Sequence, residues 1–244
     1  MNKGIGFSRT VKLDWLDATA SLCLQAIDPT QIRQQLDKTL SEAVQGEVAR
    51  RKTLDVLLAI WLKTEAIAPH IREQALEIFP ALTSNTERGW LHYGMTLVYY
   101  PFFRKCTAAI GQLSRGQETI TRRLLKERLS GEYGHLGGLD RSVERVVASL
   151  VDWGALVHTG EKYEYHIPLR QFTASQVVQS WLLTCGLFAH PSEGLPYADL
   201  VRLPEFFPFN LTIGIDVLRQ DGRFEVQRQG GGLEMVRNSF IKKY

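Results

Sequence analysis

Arg141 and Arg145 stand one helical turn apart in the stretch 140–152, where Val143, Val146, Val147, Leu150 and Val151 recur at helical spacing. With 3.6 residues per turn, Val143, Val147 and Leu150 form the stripe to be buried. Arg141, Arg145 and Asp152 then lie nearly opposite it, with Ser142 and Ser149 on its flanks. A guanidinium on such a face suits a phosphate oxygen or the major-groove edge of guanine. The plainer alternative is a pair of solvated arginines matched to Glu144 or Glu132. Further cations lie nearby in the chain. Arg122, Arg123 and Lys126 belong to a basic amphipathic stretch, 119–129, and Lys162 falls near a turn. Arg9 and Lys12 precede the first apolar pattern, where a cation opposes a helix macrodipole and is either simply exposed or placed to meet a phosphate.

These residues need elements to hold them. The stretch 119–129 reads as a helix, 130–138 as a loop with four glycines, and Asp140 as the cap of a second helix that ends at Trp153-Gly154. The alternation over 155–167 predicts a β-hairpin turning near Thr159-Gly160. Helix, turn, helix, hairpin is the order of a winged helix-turn-helix, which commonly sets its second helix in the DNA major groove.

The pattern recurs. Val143, Val147, Leu150, Gly154 and Leu156 are matched 68 residues later by Leu211, Ile215, Leu218, Gly222 and Phe224. A second hairpin is expected over 223–236 with its turn at Gly230-Gly231-Gly232. Two preceding helices are expected over 174–188 and 197–203. Thr212, Asp216 and Arg219 are the exposed positions of the second copy, a face poor in cations and better suited to packing or partner docking.

Upstream, short helices are expected before residue 50. Leu13, Leu16 and Ala20 share one face and Ile32 and Leu36 another, with Pro29 in the first turn of its helix. Thr53 reads as the cap of an apolar helix over 54–62, and Pro69 opens a helix closed by Pro80. A long helical stretch over 87–113 must kink or break at Pro101. Its aromatics, among them Trp90, Tyr93, Tyr99, Tyr100, Phe102 and Phe103, read as interior packing before a base-stacking platform. The fold class is therefore mainly α: an N-terminal helical bundle over 1–86, a central winged helix-turn-helix unit over 87–170, and a second, degenerate winged-helix-like unit over 171–244, both with small hairpin wings.

Composition sets outer bounds. A chain of 244 residues that is 44% hydrophobic and 23% charged is globular, and its net charge of +3 says little about partners. The apolar runs at 54–62 and 177–189 fall short of the ~18–20 residues that span a bilayer, so no membrane association is expected. Cys23, Cys106 and Cys185 lack metal spacing and read as reduced, buried thiols of a cytoplasmic protein. The six histidines show no ligand pattern. His158 and His166 are expected to face one another across the first hairpin as a cross-strand pair. No catalytic triad or phosphate-cradling loop has a signature here, so the expectation is a non-enzymatic protein without metal or cofactor.

Three segments, TLDVL at 53–57, LVYYPFF at 97–103 and SVERVVASLVDWGAL at 142–156, resemble the BrxA family of bacteriophage exclusion (BREX) defence systems. The resemblance implies a small, mostly helical, non-enzymatic protein that binds double-stranded DNA beside a methyltransferase, an ATPase and other defence components. Two other readings remain open at this point. One is a protein–protein adaptor using its winged-helix units to assemble a defence complex. The other is a transcription regulator, for which the chain shows no long coiled-coil dimerisation seam.

Overall fold

In the computed structural model, residues 6–25, 27–134, 138–173 and 175–240 are described. The chain is mainly helical, with two small three-stranded antiparallel sheets. Six helices come first: α1 (Leu13–Leu24), α2 (Pro29–Leu40), α3 (Glu47–Trp61), α4 (Pro69–Ile78), α5 (Asn85–Tyr99) and α6 (Pro101–Leu113). Pro29 occupies the first turn of α2, where its missing N–H costs nothing, and the Asp28 carboxylate accepts from the Thr30 amide. The expected break at Pro101 divides α5 from α6 at Tyr100, whose backbone is extended. Thr53 is not a cap. α3 begins six residues earlier, at Glu47, and the buried Thr53 hydroxyl turns back to the Ala49 carbonyl.

A first unit follows: β1 (Thr119–Thr121), α7 (Arg122–Tyr133), α8 (Leu139–Asp152), β2 (Val157–His158) and β3 (Glu164–His166). The strand order is β1-β3-β2. Thr119–Thr121 is thus a strand paired with β3, where a helical start was expected, and Thr121 caps α7 through the Leu124 amide. Part of the expected glycine loop is helix, since α7 runs on to Tyr133, and residues 135–137 lie outside the described residues. Asp140 sits inside α8, whose cap position is Gly138. His158 faces Tyr165 and His166 faces Val157, so the two histidines are not cross-strand partners.

The second unit is α9 (Gln176–Ala189), β4 (Gly194–Pro196), α10 (Tyr197–Leu200), α11 (Ile215–Gln220), β5 (Phe224–Gln229) and β6 (Leu233–Asn238). Its strand order, β4-β6-β5, repeats that of the first unit, and its hairpin turns at Gly230–Gly232. The repeated helix is shorter than its pattern: Leu211 lies before α11, in chain without regular secondary structure. Ala174, the expected start of the helix that forms as α9, lies outside the described residues.

One apolar cluster joins all parts, with Trp61, Trp90, Trp181, Tyr93, Phe102 and Phe103 fully buried in it. Each large side chain so buried contributes roughly 1.5–3 kcal/mol before entropy is counted. Most of the aromatics over 90–103 are therefore interior, and no stacking platform exists there. Two indoles tie distant segments: Trp181 Nε1 donates to the Ile71 carbonyl at 3.0 Å, and Trp61 Nε1 to His92 Nδ1 at 3.1 Å. His92 in turn donates from Nε2 to Asp17 at 2.8 Å. Burial holds this imidazole below its ordinary pKa, with Asp17 acting against that shift. No described helix is long and apolar enough to cross a membrane.

Candidate nucleic-acid interface

The valine stripe of α8 is buried as its spacing requires: Val143, Val146, Val147 and Leu150 are each at most 3% exposed. Arg141 is exposed and Arg145 half-buried. Among the described residues neither guanidinium has a carboxylate partner, so their donors remain available.

The flank of α8 holding the two serines is buried. Ser149 is fully buried; its hydroxyl accepts from the Val11 amide at 2.8 Å and donates to the Arg145 carbonyl at 2.9 Å. Ser142 is also buried. Ser149 is turned onto the segment 7–12, which lies along the C-terminal half of α8. Trp153 Nε1 donates to the Val11 carbonyl at 2.9 Å, and the Asp152 carboxylate accepts from the Leu13 amide at 2.8 Å. An anion at that place complements the first turn of α1. Phe7, packed between Tyr100 and Phe103, anchors the segment. Phe7 and Val11, apolar and four residues apart, were its signal in the sequence.

This crossing brings two cations, Arg9 and Lys12, towards α8. Lys12 is exposed, with Nζ 5.4 Å from the Trp15 ring. Arg9 is half-buried, and its Nε is enclosed without a hydrogen-bond partner.

On the other flank, Arg122, Arg123, Lys126 and Lys162 line one cavity of about 370 Å³ together with Asp140 and Tyr163. They are not equivalent. Arg122 lies 3.4 Å from Glu144 and 3.9 Å from Asp140, with its guanidinium 4.1 Å from the Tyr163 ring centre. It is a tie between α7, α8 and the hairpin, and its charge is matched. Arg123, mostly exposed, pairs with Glu127 at 2.9 Å, and Lys126 with Asp140 at 3.8 Å. Such exposed pairs are worth less than about 1 kcal/mol and give way readily to a stronger anion. Lys162 stands exposed at the hairpin tip beside Tyr163, at 5.0 Å.

Among the described residues, the corresponding helix of the second unit, α11, lacks such a face. Thr212, Asp216 and Arg219 are exposed as expected, but Arg219 is held by Asp216 and, at 2.7 Å, by Glu234. Among the described residues no cluster of His, Cys, Asp or Glu could hold a metal. Burial raises the thiol pKa of Cys23, Cys106 and Cys185, which makes each a poor nucleophile. Comparison of the chain with protein-family models, curated proteins and solved structures finds no match.

Proposed function

We propose that this is a non-enzymatic double-stranded DNA-binding accessory protein, and that α6 through β3 forms a winged helix-turn-helix with α8 as its groove-facing helix. The observation that carries the reading is the pair Arg141 and Arg145, on the solvent side of α8 and without carboxylate partners among the described residues. The strand order β1-β3-β2 around the α7–α8 pair supports it, as does Lys162 at the hairpin tip. Arg123 and Lys126 supply phosphate contacts from α7, while Arg122 holds the elements together. Glu144 and Asp152 border the arginines, so contacts to phosphate outweigh a long base-reading code. We divide the chain into an N-terminal helical part (1–86), this unit (87–170) and a second, degenerate unit of the same kind (171–244).

The test is a mobility-shift titration of unrelated duplexes across a salt series. Binding should weaken steeply with salt, and each lost phosphate contact should lower the slope by roughly one unit. A folded protein that shifts no duplex at low salt overturns the proposal. The sequence likeness to the BrxA family is the ground for proposing that this activity serves a BREX-like phage-defence system beside a methyltransferase and an ATPase. Flanking genes that encode neither component would remove that placement.

A second reading, a protein–protein adaptor, draws on a different observation. Leu169, Phe172 and Val177, where the chain enters the second unit, are 97%, 56% and 53% exposed. Apolar side chains this exposed suit a protein partner. Co-purification that survives charge reversal at Arg141 and Arg145 would favour it.

A further inference from the structure

A cavity of about 630 Å³ opens at the seam between the end of α6 and the second unit, and it shares no residue with the α8 face. Its walls are fixed by main chain. The helix α6 and the turn Pro204–Phe206 approach so closely that a side chain at Gly111 would collide with the Pro204 carbonyl. Arg115 Nη2 donates to the Arg202 carbonyl at 3.0 Å, which closes the same seam from its edge.

The lining has two characters. Three arginines, Arg115, Arg170 and Arg202, are among the lining residues, against a single acidic one, Asp199. Among the described residues none of the three has an ion-pair partner. Phe206 and Phe207 contribute apolar wall. Three unmatched guanidiniums favour a multivalent anion over a lone carboxylate, and their planar donor forks fit phosphate oxygens. The volume lies within the roughly 300–1,000 Å³ usual for small-molecule sites. A concave site of this size accepts a small molecule, whereas a duplex presents its phosphates on a convex surface.

We propose that this cavity binds an organic polyphosphate with an apolar, planar body, the chemistry of a nucleoside triphosphate. The phosphates meet Arg115, Arg170 and Arg202, and the planar body lies against the apolar wall. The site is separate from the α8 face.

Calorimetric titration of the full chain with ATP, and separately with pyrophosphate, tests this. Saturable one-to-one binding of ATP is expected, weakened at least tenfold in Arg170→Ala/Arg202→Ala. Both of these arginines are exposed, so the double variant should keep the wild-type melting temperature. Arg141→Ala/Arg145→Ala should bind ATP normally. Absence of ATP binding at millimolar concentration overturns the proposal, as does unchanged affinity in the Arg170/Arg202 variant. Pyrophosphate binding as tight as ATP would remove the role of the apolar wall and with it the ligand class. If duplex DNA displaces ATP and the same variant loses DNA affinity, the cavity belongs to the DNA surface and the separate site is refuted.

Discussion

The two three-stranded units share one order of elements and one order of strands, yet they invest their residues differently. In the first, α7 and α8 are 12 and 14 residues long, while the wing strands have only two or three. In the second, α10 and α11 have four and six residues, and the hairpin strands have six each. The cause of the short helix is visible. Buried Gln179 on α9 accepts from the amides of Thr212 and Ile213 at 2.8 and 3.0 Å, so the chain over 210–214 is held outside helix where helical turns would otherwise form. The first unit thus presents a long helical face whose arginines have no carboxylate partner among the described residues. The second spends its equivalent on internal hydrogen bonds and neutralises Arg219. Likeness of topology therefore does not carry likeness of role.

The comparison can be broken at its hinge residue. Gln179→Ala orphans two amides at roughly 1–3 kcal/mol each, and this should be the largest single loss of stability by urea denaturation. A loss below about 1 kcal/mol would mean that Gln179 does not hold this segment. Next come the matched core leucines. Leu150 and Leu218 are both fully buried, so Leu150→Ala and Leu218→Ala should each cost about 2–5 kcal/mol. A negligible cost at Leu218 alone would show that the second copy is not packed as an equivalent of the first. The cations then separate the units by function. On the proposed DNA-binding reading, Arg141→Ala/Arg145→Ala removes two phosphate contacts and should make the affinity loss between about 50 and about 200 mM salt roughly tenfold smaller. Arg219→Ala should leave the salt series unchanged. Equal effects from both variants would erase the division of roles.

Features that depend on neighbours in sequence were legible. The stripe of α8, the start of α2 at Pro29, the break at Pro101 and the turn at Gly230–Gly232 all rest on local spacing or backbone chemistry. What escaped depends on distant partners. Thr119–Thr121 becomes a strand because β3 pairs with it, some 45 residues away. Ser149 looked like a flank residue open to DNA, but its partner Val11 is 138 residues upstream. Helical phase located the flank correctly and carried no information about what would cover it. Arg122 was legible as a cation and not as a matched one, since Glu144 and the Tyr163 ring reach it only through tertiary packing.

The smallest expected effect is also the most discriminating, because its sign should differ between the copies. Gly154 and Gly222 are matched in the repeat, each following its helix and preceding its hairpin. Gly154 has φ +67°, and it follows a helix end where the Ala155 amide reaches back to the Leu150 carbonyl at 2.8 Å. No atom within 3.4 Å would obstruct a Cβ there, so the cost of Gly154→Ala is conformational, roughly 1–2 kcal/mol for a left-handed backbone. Gly222 does not have a positive φ and has open space around its would-be Cβ. Gly222→Ala should be neutral or stabilise by about 0.4–1 kcal/mol, because alanine restricts the unfolded chain without straining the folded one. Thermal or urea unfolding of the two variants side by side reads the difference. Destabilisation of similar size at both sites would mean that the second copy uses its glycine as the first does, and the contrast between the two helix ends would fail.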